Sequence, residues 1–149
     1  MRIMALGHVV LKVRSLERSV PFCSDVLGLK LVARATIAEQ PMAFFSIAGN
    51  HHDLALVETS PEAPAAPEAA PGLAHLALKI GDSLHDLRAA QIWLEAKGIH
   101  IERTVDHRVA QSLYILDPDG NRIELYVDGD PRIWREDPSA VAHSVPFAL

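Results

Sequence analysis

Apolar residues follow the same pattern in two stretches of the chain, 67 positions apart. Residues 7–13 read GHVVLKV and residues 74–80 read AHLALKI. Both stretches are apolar and rich in β-branched residues or leucine, so each predicts a β-strand that opens with a histidine. The duplication indicates two structural units built on one plan.

A helical pattern follows each of these strands. Ser15 and Ser83 suit the N-cap position, and the helices are predicted over Leu16–Leu27 and Leu84–Lys97. A glycine stands directly after each pattern, as expected at the C-terminal end of a helix. Three short apolar segments come next in each half: Leu29–Ile37, Met42–Ala48 and Asp53–Glu58, then Ile99–Thr104, Gln111–Leu116 and Arg122–Val127. The order strand, helix, three strands therefore occurs twice.

A proline-rich stretch separates the two halves. Four prolines fall within residues 61–72, which favours an extended linker over a helix. We therefore predict one domain over residues 1–149, with a first module at 1–60, a second at 73–128 and a C-terminal tail at 129–149. The predicted fold class is α+β, with two βαβββ modules related by a pseudo-twofold axis and mixed sheets around one cavity.

Composition excludes several classes of protein. The chain has 49% hydrophobic and 22% charged residues and a net charge of −5, so it is globular and has no basic stripe for nucleic acid or an anionic membrane. No apolar run reaches the roughly 18 residues of a membrane helix. The single cysteine, Cys23, predicts a small buried residue in a reducing cytoplasm. In the weakly periodic tail, Trp134 and Phe147 are candidate anchors on the surface or on a partner subunit.

Two of the eight histidines hold equivalent places in the repeat, His8 and His75. The last strands of the two halves align Ala55 with Glu124. Because Glu124 is flanked by two apolar residues, its side chain faces away from them, either into solvent or into a functional cavity. Two histidines and one carboxylate form the facial set that holds Fe(II) or a similar divalent ion with open coordination positions.

The repeat, the two histidines and the segment DPDGNRIEL at 117–125 resemble the vicinal oxygen chelate superfamily over about residues 5–128. This family includes glyoxalase I, methylmalonyl-CoA epimerases, fosfomycin-resistance thiol transferases and extradiol catechol dioxygenases. The resemblance implies sheets that curl around a metal-containing cup. The shared fold does not by itself select one of these reactions.

Finer residues resemble the catalytic domain of type I extradiol dioxygenases. Glyoxalases and related epimerases place a fourth ligand, Glu or Gln, where this chain has Ala55, whereas extradiol enzymes leave that place empty. The segment HHDLALVE at 51–58 matches the one that supplies an acid-base histidine, here His52. The segment DHRVAQSLY at 106–114 matches the one that supplies His107 and Tyr114. Tyr114 precedes Glu124 by ten residues. Because this separation is even, both side chains should lie on one face of the sheet if the turn between them does not alter the alternation of faces.

The resemblance implies ring cleavage of a catechol-type aromatic diol by O2, with Fe(II), or Mn(II) on the same ligands, held by His8, His75 and Glu124. His52 would transfer protons, while His51, its neighbour on an extended segment, should face the other way. His107 and Tyr114 would hydrogen-bond the substrate or intermediates. A homodimer or higher homo-oligomer is expected.

Two alternatives stay open at the level of sequence. The first is a metal-dependent, glyoxalase-like lyase or isomerase or a thiol transferase, which would need a cationic pocket for an anionic substrate, with Arg103 and Arg122 as candidates. The second is a resistance protein that sequesters a small aromatic molecule in the same cup without a metal.

Overall fold

The computed structural model describes residues 1–67 and 69–149. It divides the chain into two compact units, Met1–Glu68 and Ala69–Leu149. The division lies inside the stretch 61–72 that the sequence marks as a linker. The single domain with modules at 1–60 and 73–128 stays a prediction, and the two units are described separately below.

The first unit contains one helix and a four-stranded mixed sheet. Its elements are β1 (Val9–Val13), α1 (Leu16–Pro21), a π-helical turn (Phe22–Val26), β2 (Lys30–Ile37), β3 (Gln40–Ser46) and β4 (Leu54–Glu58). The strand order is β1-β4-β3-β2, with β1 and β4 parallel and the other pairs antiparallel. Pro21 has no N–H to donate to the helix, and after it the hydrogen bonds span five residues instead of four. The Leu27 N–H, for example, donates to the Phe22 carbonyl, which makes this turn π-helical.

The second unit repeats this plan and adds the tail. Its elements are β5 (Leu76–Gly81), α2 (Leu84–Ala96), β6 (Ile101–Asp106), β7 (Ala110–Leu116), β8 (Arg122–Asp128), α3 (Pro131–Glu136), a 3₁₀ turn (Pro138–Ala142) and β9 (Val145–Pro146). The strand order is β5-β8-β7-β6-β9. The predicted α+β class with two βαβββ modules and mixed sheets is confirmed. His8 and His75 directly precede β1 and β5 instead of opening them.

Strand register confirms the alignment of the two halves. In the first unit Ala55 pairs with Val10 on one side and with Phe44 on the other. In the second unit Glu124 pairs with Ala77 and with Tyr114 in the same way. Ala55 and Glu124 therefore hold the same place in the two sheets.

One face of the second sheet packs against α2 and leaves the other for polar side chains. The helix begins at a capping box, in which Ser83 and Asp86 each bind the other's backbone N–H. Its apolar side buries Leu87 and Leu94, and the strands bury Leu113, Ile115 and Ile123, all at most 2% exposed. Side chains alternate along a strand, so Glu124 lies on the face opposite to Ile123.

The tail has more regular structure than its sequence pattern predicts. Pro131 and Pro138 stand at the first turns of α3 and of the 3₁₀ turn, where a missing N–H costs nothing, and aspartates cap both segments. Strand β9 pairs with β6. Phe147 is held through its backbone, which exchanges hydrogen bonds with Thr104. Trp134 is 45% exposed, so the prediction of a Trp134 anchor finds no support within the second unit.

Cys23 is 4% exposed, which confirms its place in the core of the first unit. In the described ranges, no helix combines the length and the apolar character that a membrane crossing requires.

Candidate active site

Three polar residues form a row across the second sheet. Arg103 on β6 pairs directly with Tyr114 on β7, and Tyr114 pairs directly with Glu124 on β8. Directly paired residues on neighbouring strands project their side chains from the same face. The predicted common face of Tyr114 and Glu124 is therefore confirmed, and Arg103 shares it.

Glu124 is a buried carboxylate, with 8% of the residue exposed. Its Oε2 lies 2.9 Å from His75 Nε2, and its Oε1 accepts a hydrogen bond of 2.5 Å from the Ser112 hydroxyl. The Nε2 atom of His107 lies 3.8 Å from the same Oε1. The sequence left two positions open for Glu124, solvent or a functional cavity. The structure excludes the first, since Glu124 is buried among polar partners, as a buried polar group requires.

The orientation of His107 is fixed from both sides of its ring. Its Nδ1 lies 3.0 Å from the backbone carbonyl oxygen of His143, and its Nε2 lies 3.0 Å from the Tyr114 hydroxyl. A carbonyl only accepts, so Nδ1 carries the proton, and in the neutral ring Nε2 accepts from Tyr114. No sequence signal pointed to His143, because its contribution comes from the backbone.

Tyr114 stays protonated at physiological pH. Burial, followed by the charge of Glu124, raises the pKa of Tyr114 to about 12. Its ring also lies edge-on to His75, with centroids 5.8 Å apart. Tyr114 is thus a hydrogen-bond donor placed between two imidazoles and a carboxylate.

A separate cluster of imidazoles lies in the first unit. The ring of His52 is 4.4 Å from that of His8 and 5.4 Å from that of Phe44, measured between centroids. Desolvation, followed by repulsion from His8 and His51, lowers the pKa of His52. His52 is therefore predominantly neutral at pH 7 and able to accept a proton.

The expectation that His51 faces away from His52 is wrong. Their Nδ1 atoms are 2.7 Å apart. The loop between β3 and β4 is bent because the Asp53 carboxylate accepts hydrogen bonds from the Ile47 and Ala48 N–H groups and from the Asn50 amide. Opposite facing of neighbours applies to an extended strand, and this loop is not one.

The two candidate cations have different surroundings. The Arg103 guanidinium lies 4.4 Å from the centroid of the Tyr114 ring. Arg122 forms an ion pair with Glu102, with Nε 3.0 Å from Oε2. Arg103 thus contacts Tyr114, the strand partner of Glu124, and Arg122 contacts Glu102.

Within residues 1–67 and 69–149, no three His, Cys, Asp or Glu side chains are grouped closely enough to hold a metal ion. What the second unit brings together is the pair His75 and Glu124, a nitrogen and an oxygen donor that suit a divalent transition metal. Ala55, at the place equivalent to Glu124, is 1% exposed and offers no donor atom. The set His8, His75 and Glu124 stays a prediction.

The model of the glyoxalase/bleomycin resistance protein/dioxygenase superfamily matches residues 5–125. The chain is 35% identical over 133 residues to a catechol-2,3-dioxygenase of Bacillus subtilis (strain 168), a match that covers 89% of this chain and 44% of the relative. It is 38% identical over 127 residues to a biphenyl-2,3-diol 1,2-dioxygenase of Rhodococcus globerulus, covering 83% of this chain and 63% of the relative. The chain thus spans between two fifths and two thirds of the length of these relatives.

Other similar proteins have different functions or show the fold alone. A metallothiol transferase, FosB, of Staphylococcus epidermidis is 26% identical over 126 residues, which cover 83% of this chain and 84% of the relative. A solved glyoxylase/bleomycin resistance protein/dioxygenase domain from Frankia sp. EAN1pec superposes with a TM-score of 0.73 at 23% identity, covering 85% of this chain and 99% of that domain. Fold similarity of this kind leaves the reaction open.

Proposed function

Because the chain belongs to the glyoxalase/bleomycin resistance protein/dioxygenase superfamily, as its resemblance to vicinal oxygen chelate proteins predicts, we propose that it is a metal-dependent extradiol dioxygenase that opens a catechol-type aromatic diol with O2. The observation that carries this proposal is the cluster in which Glu124 contacts His75 while His107 and Tyr114 stand beside it. The two dioxygenase relatives named above support the same reaction.

We propose His8, His75 and Glu124 as the metal ligands. A buried carboxylate with an imidazole nitrogen 2.9 Å away fits two donors of a facial site, and the repeat makes His8 the counterpart of His75. Fe(II) is the proposed ion, and Mn(II) accepts the same ligands. When bound, such an ion supplies a template on which the two diol oxygens and O2 meet.

Ala55 supports the dioxygenase over a glyoxalase. Its register matches that of Glu124, yet its methyl group supplies no ligand. Three protein ligands leave positions for substrate, whereas the fourth ligand of glyoxalases would occupy one.

Three side chains are proposed to handle protons and hydrogen bonds. His52, whose pKa is lowered, takes a proton from the diol and later returns it. Tyr114 donates a hydrogen bond toward the substrate oxygens, since its raised pKa keeps the hydroxyl proton in place. His107, oriented by the His143 carbonyl, accepts from Tyr114 in the free protein, and it accepts from a hydroxyl of the bound diol when Tyr114 donates to the substrate.

A thiol transferase is the second candidate function. The FosB relative matches this chain over most of its own length, and Arg103 provides a cation beside Glu124 and Tyr114. An anionic substrate would need such a cation. The cluster itself is compatible with either reaction, so the two functions are distinguished by testing which substrate the protein converts.

Oxygen uptake by the Fe(II)-loaded protein tests the proposal. We expect catechol or 2,3-dihydroxybiphenyl to consume O2 and to give a ring-opened product, in wild type and equally in His85→Ala, whose side chain is 92% exposed. Absence of uptake with Fe(II) and with Mn(II), together with metal-dependent loss of thiol in the presence of fosfomycin, would establish the transferase instead. A homo-oligomeric state and a cytoplasmic location stay predictions. Light scattering of the purified protein measures the oligomeric state.

A further inference from the structure

A bulge in β6 determines which residue stands beside Tyr114. Ile101 pairs with Ile115, and regular pairing from there would place Glu102 opposite Tyr114. The register shifts between Ile101 and Arg103, so Arg103 takes that place. Bulges beside active sites commonly redirect a side chain in this way. Here the bulge brings a cation, in place of a carboxylate, to the face that carries Glu124.

The Arg103 guanidinium hydrogen-bonds the Tyr114 side chain and has further N–H groups to offer a ligand. It stacks 4.4 Å from the Tyr114 centroid, and in the described ranges no Asp or Glu lies within ion-pair distance of it. By contrast, Lys79 is held by Asp82 and Asp128 at 2.6 and 2.8 Å. A stacked guanidinium still presents N–H groups at its edge, in the fork geometry that matches a carboxylate.

We propose that Arg103 determines specificity by binding a carboxylate substituent of the aromatic diol. This inference rests on the proposed function and names its substrate class. A carboxylate that leaves water on binding needs a cation or hydrogen-bond donors beside it, and Glu124, an acidic side chain itself, is not a cation. Arg103 supplies that cation on the same face.

The spacing of the row suits one substituted ring. Neighbouring strands lie about 4.8 Å apart, so the backbone of Arg103, two strands from Glu124, lies on the order of 10 Å away. The Arg103 side chain reaches back over Tyr114 and shortens that gap. A diol bound at the Glu124 end can therefore direct a carboxylate on the far side of its ring toward Arg103.

The test compares 3,4-dihydroxybenzoate with its methyl ester, which has the same ring and no charge. Binding to the Fe(II)-loaded protein is measured without O2 by calorimetry, and kcat and KM are measured with O2. The variants are Arg103→Gln and Arg103→Lys, with Arg88→Gln on the exposed side of α2 as the matched control. Thermal unfolding checks that each variant keeps its fold.

We expect wild type and Arg88→Gln to bind the carboxylate about 10- to 100-fold more tightly than the ester, the range of a charge-assisted hydrogen-bond pair. Arg103→Gln should lose that preference mainly through a higher KM for the carboxylate, and Arg103→Lys should keep part of it. Equal preference in wild type and Arg103→Gln, or preference of wild type for the ester, would overturn the inference.

The two proposals fail in different ways. If both compounds are cleaved but Arg103→Gln leaves the preference intact, the dioxygenase stands and the carboxylate site falls. If neither is cleaved but the preference and its loss persist in calorimetry, the carboxylate site stands and the dioxygenase falls. Arg103-dependent binding of fosfomycin with no binding of 3,4-dihydroxybenzoate would overturn the inference in favour of a phosphonate substrate.

Discussion

Tyr114 and Glu124 stand directly opposite each other on β7 and β8, although ten residues separate them in the chain. The turn between them fixes this register. Gly120 adopts a φ of 88°, and the Asp117 carboxylate accepts hydrogen bonds from the Asp119 and Asn121 N–H groups. A shift of one residue would send one of the two side chains to the face that packs against α2.

Ser112→Ala should weaken metal binding without unfolding the protein. The Ser112 hydroxyl donates to Glu124 Oε1 at 2.5 Å in a fully buried position, and it orients the carboxylate. Removal of such a supporting partner costs about 10- to 100-fold in metal affinity. Competition with a chelator measures the affinity for Fe(II) or Mn(II). Ser139→Ala, in the exposed tail, is the control, and an equal affinity in the two variants would contradict the role given to Ser112.

His52→Phe should keep the metal and bind catechol but slow turnover by about 10² to 10⁴, the usual contribution of an acid-base group. The measurements are iron content and oxygen uptake. Because His51 contacts His52 through their Nδ1 atoms, His51→Phe should also reduce turnover, though by less. Loss of metal in His52→Phe, or equal rates in the two variants, would remove His52 from the proton-transfer role.

Ala55→Glu should supply a fourth ligand and lower oxygen uptake by more than about tenfold, because it fills an open coordination position. Ala55→Leu controls for bulk at this buried position, which is 1% exposed. We expect both variants to lose activity, and only the glutamate to tighten metal binding. Full ring cleavage by a metal-loaded Ala55→Glu protein would show that Ala55 does not face the ion.

Removal of residues 143–149 should reduce activity while leaving the metal bound. The deletion removes the carbonyl that accepts from His107 Nδ1 and the strand β9 that pairs with β6. Deletion of residues 148–149 alone leaves both in place and serves as the control. Unchanged kcat in the longer deletion, with the fold verified by circular dichroism, would mean that the tail has no part in orienting His107.

Much of the fold could be predicted because its signals are local. Ser83 and Gly98 mark the two ends of α2, and these signals do not depend on contacts with the rest of the chain. The repeat then supplies the nonlocal information, since the alignment of Ala55 with Glu124 follows from it and the strand register confirms it. The apolar neighbours of Glu124 left solvent and a functional cavity as alternatives, and its burial excludes solvent.

The features that escaped prediction depend on contacts distant in sequence or on irregular backbone. The bulge that turns Arg103 toward Tyr114 leaves no mark in the alternation of β6. His51 faces His52 because several hydrogen bonds converge on Asp53 and bend the loop. The carbonyl of His143 orients His107 from 36 residues away, and a backbone group carries no sequence signature.

The metal content of four variants tests whether His8, His75 and Glu124 hold the metal. Iron per chain and catechol-dependent oxygen uptake are measured for wild type, His8→Ala, His75→Ala and Glu124→Ala, with His85→Ala as the surface control. We expect about one iron per chain and full activity in wild type and His85→Ala, and loss of both in the other three variants while the fold persists. Full iron occupancy in any of those three variants would contradict the assignment of that residue, and full occupancy in all three would contradict the proposed site.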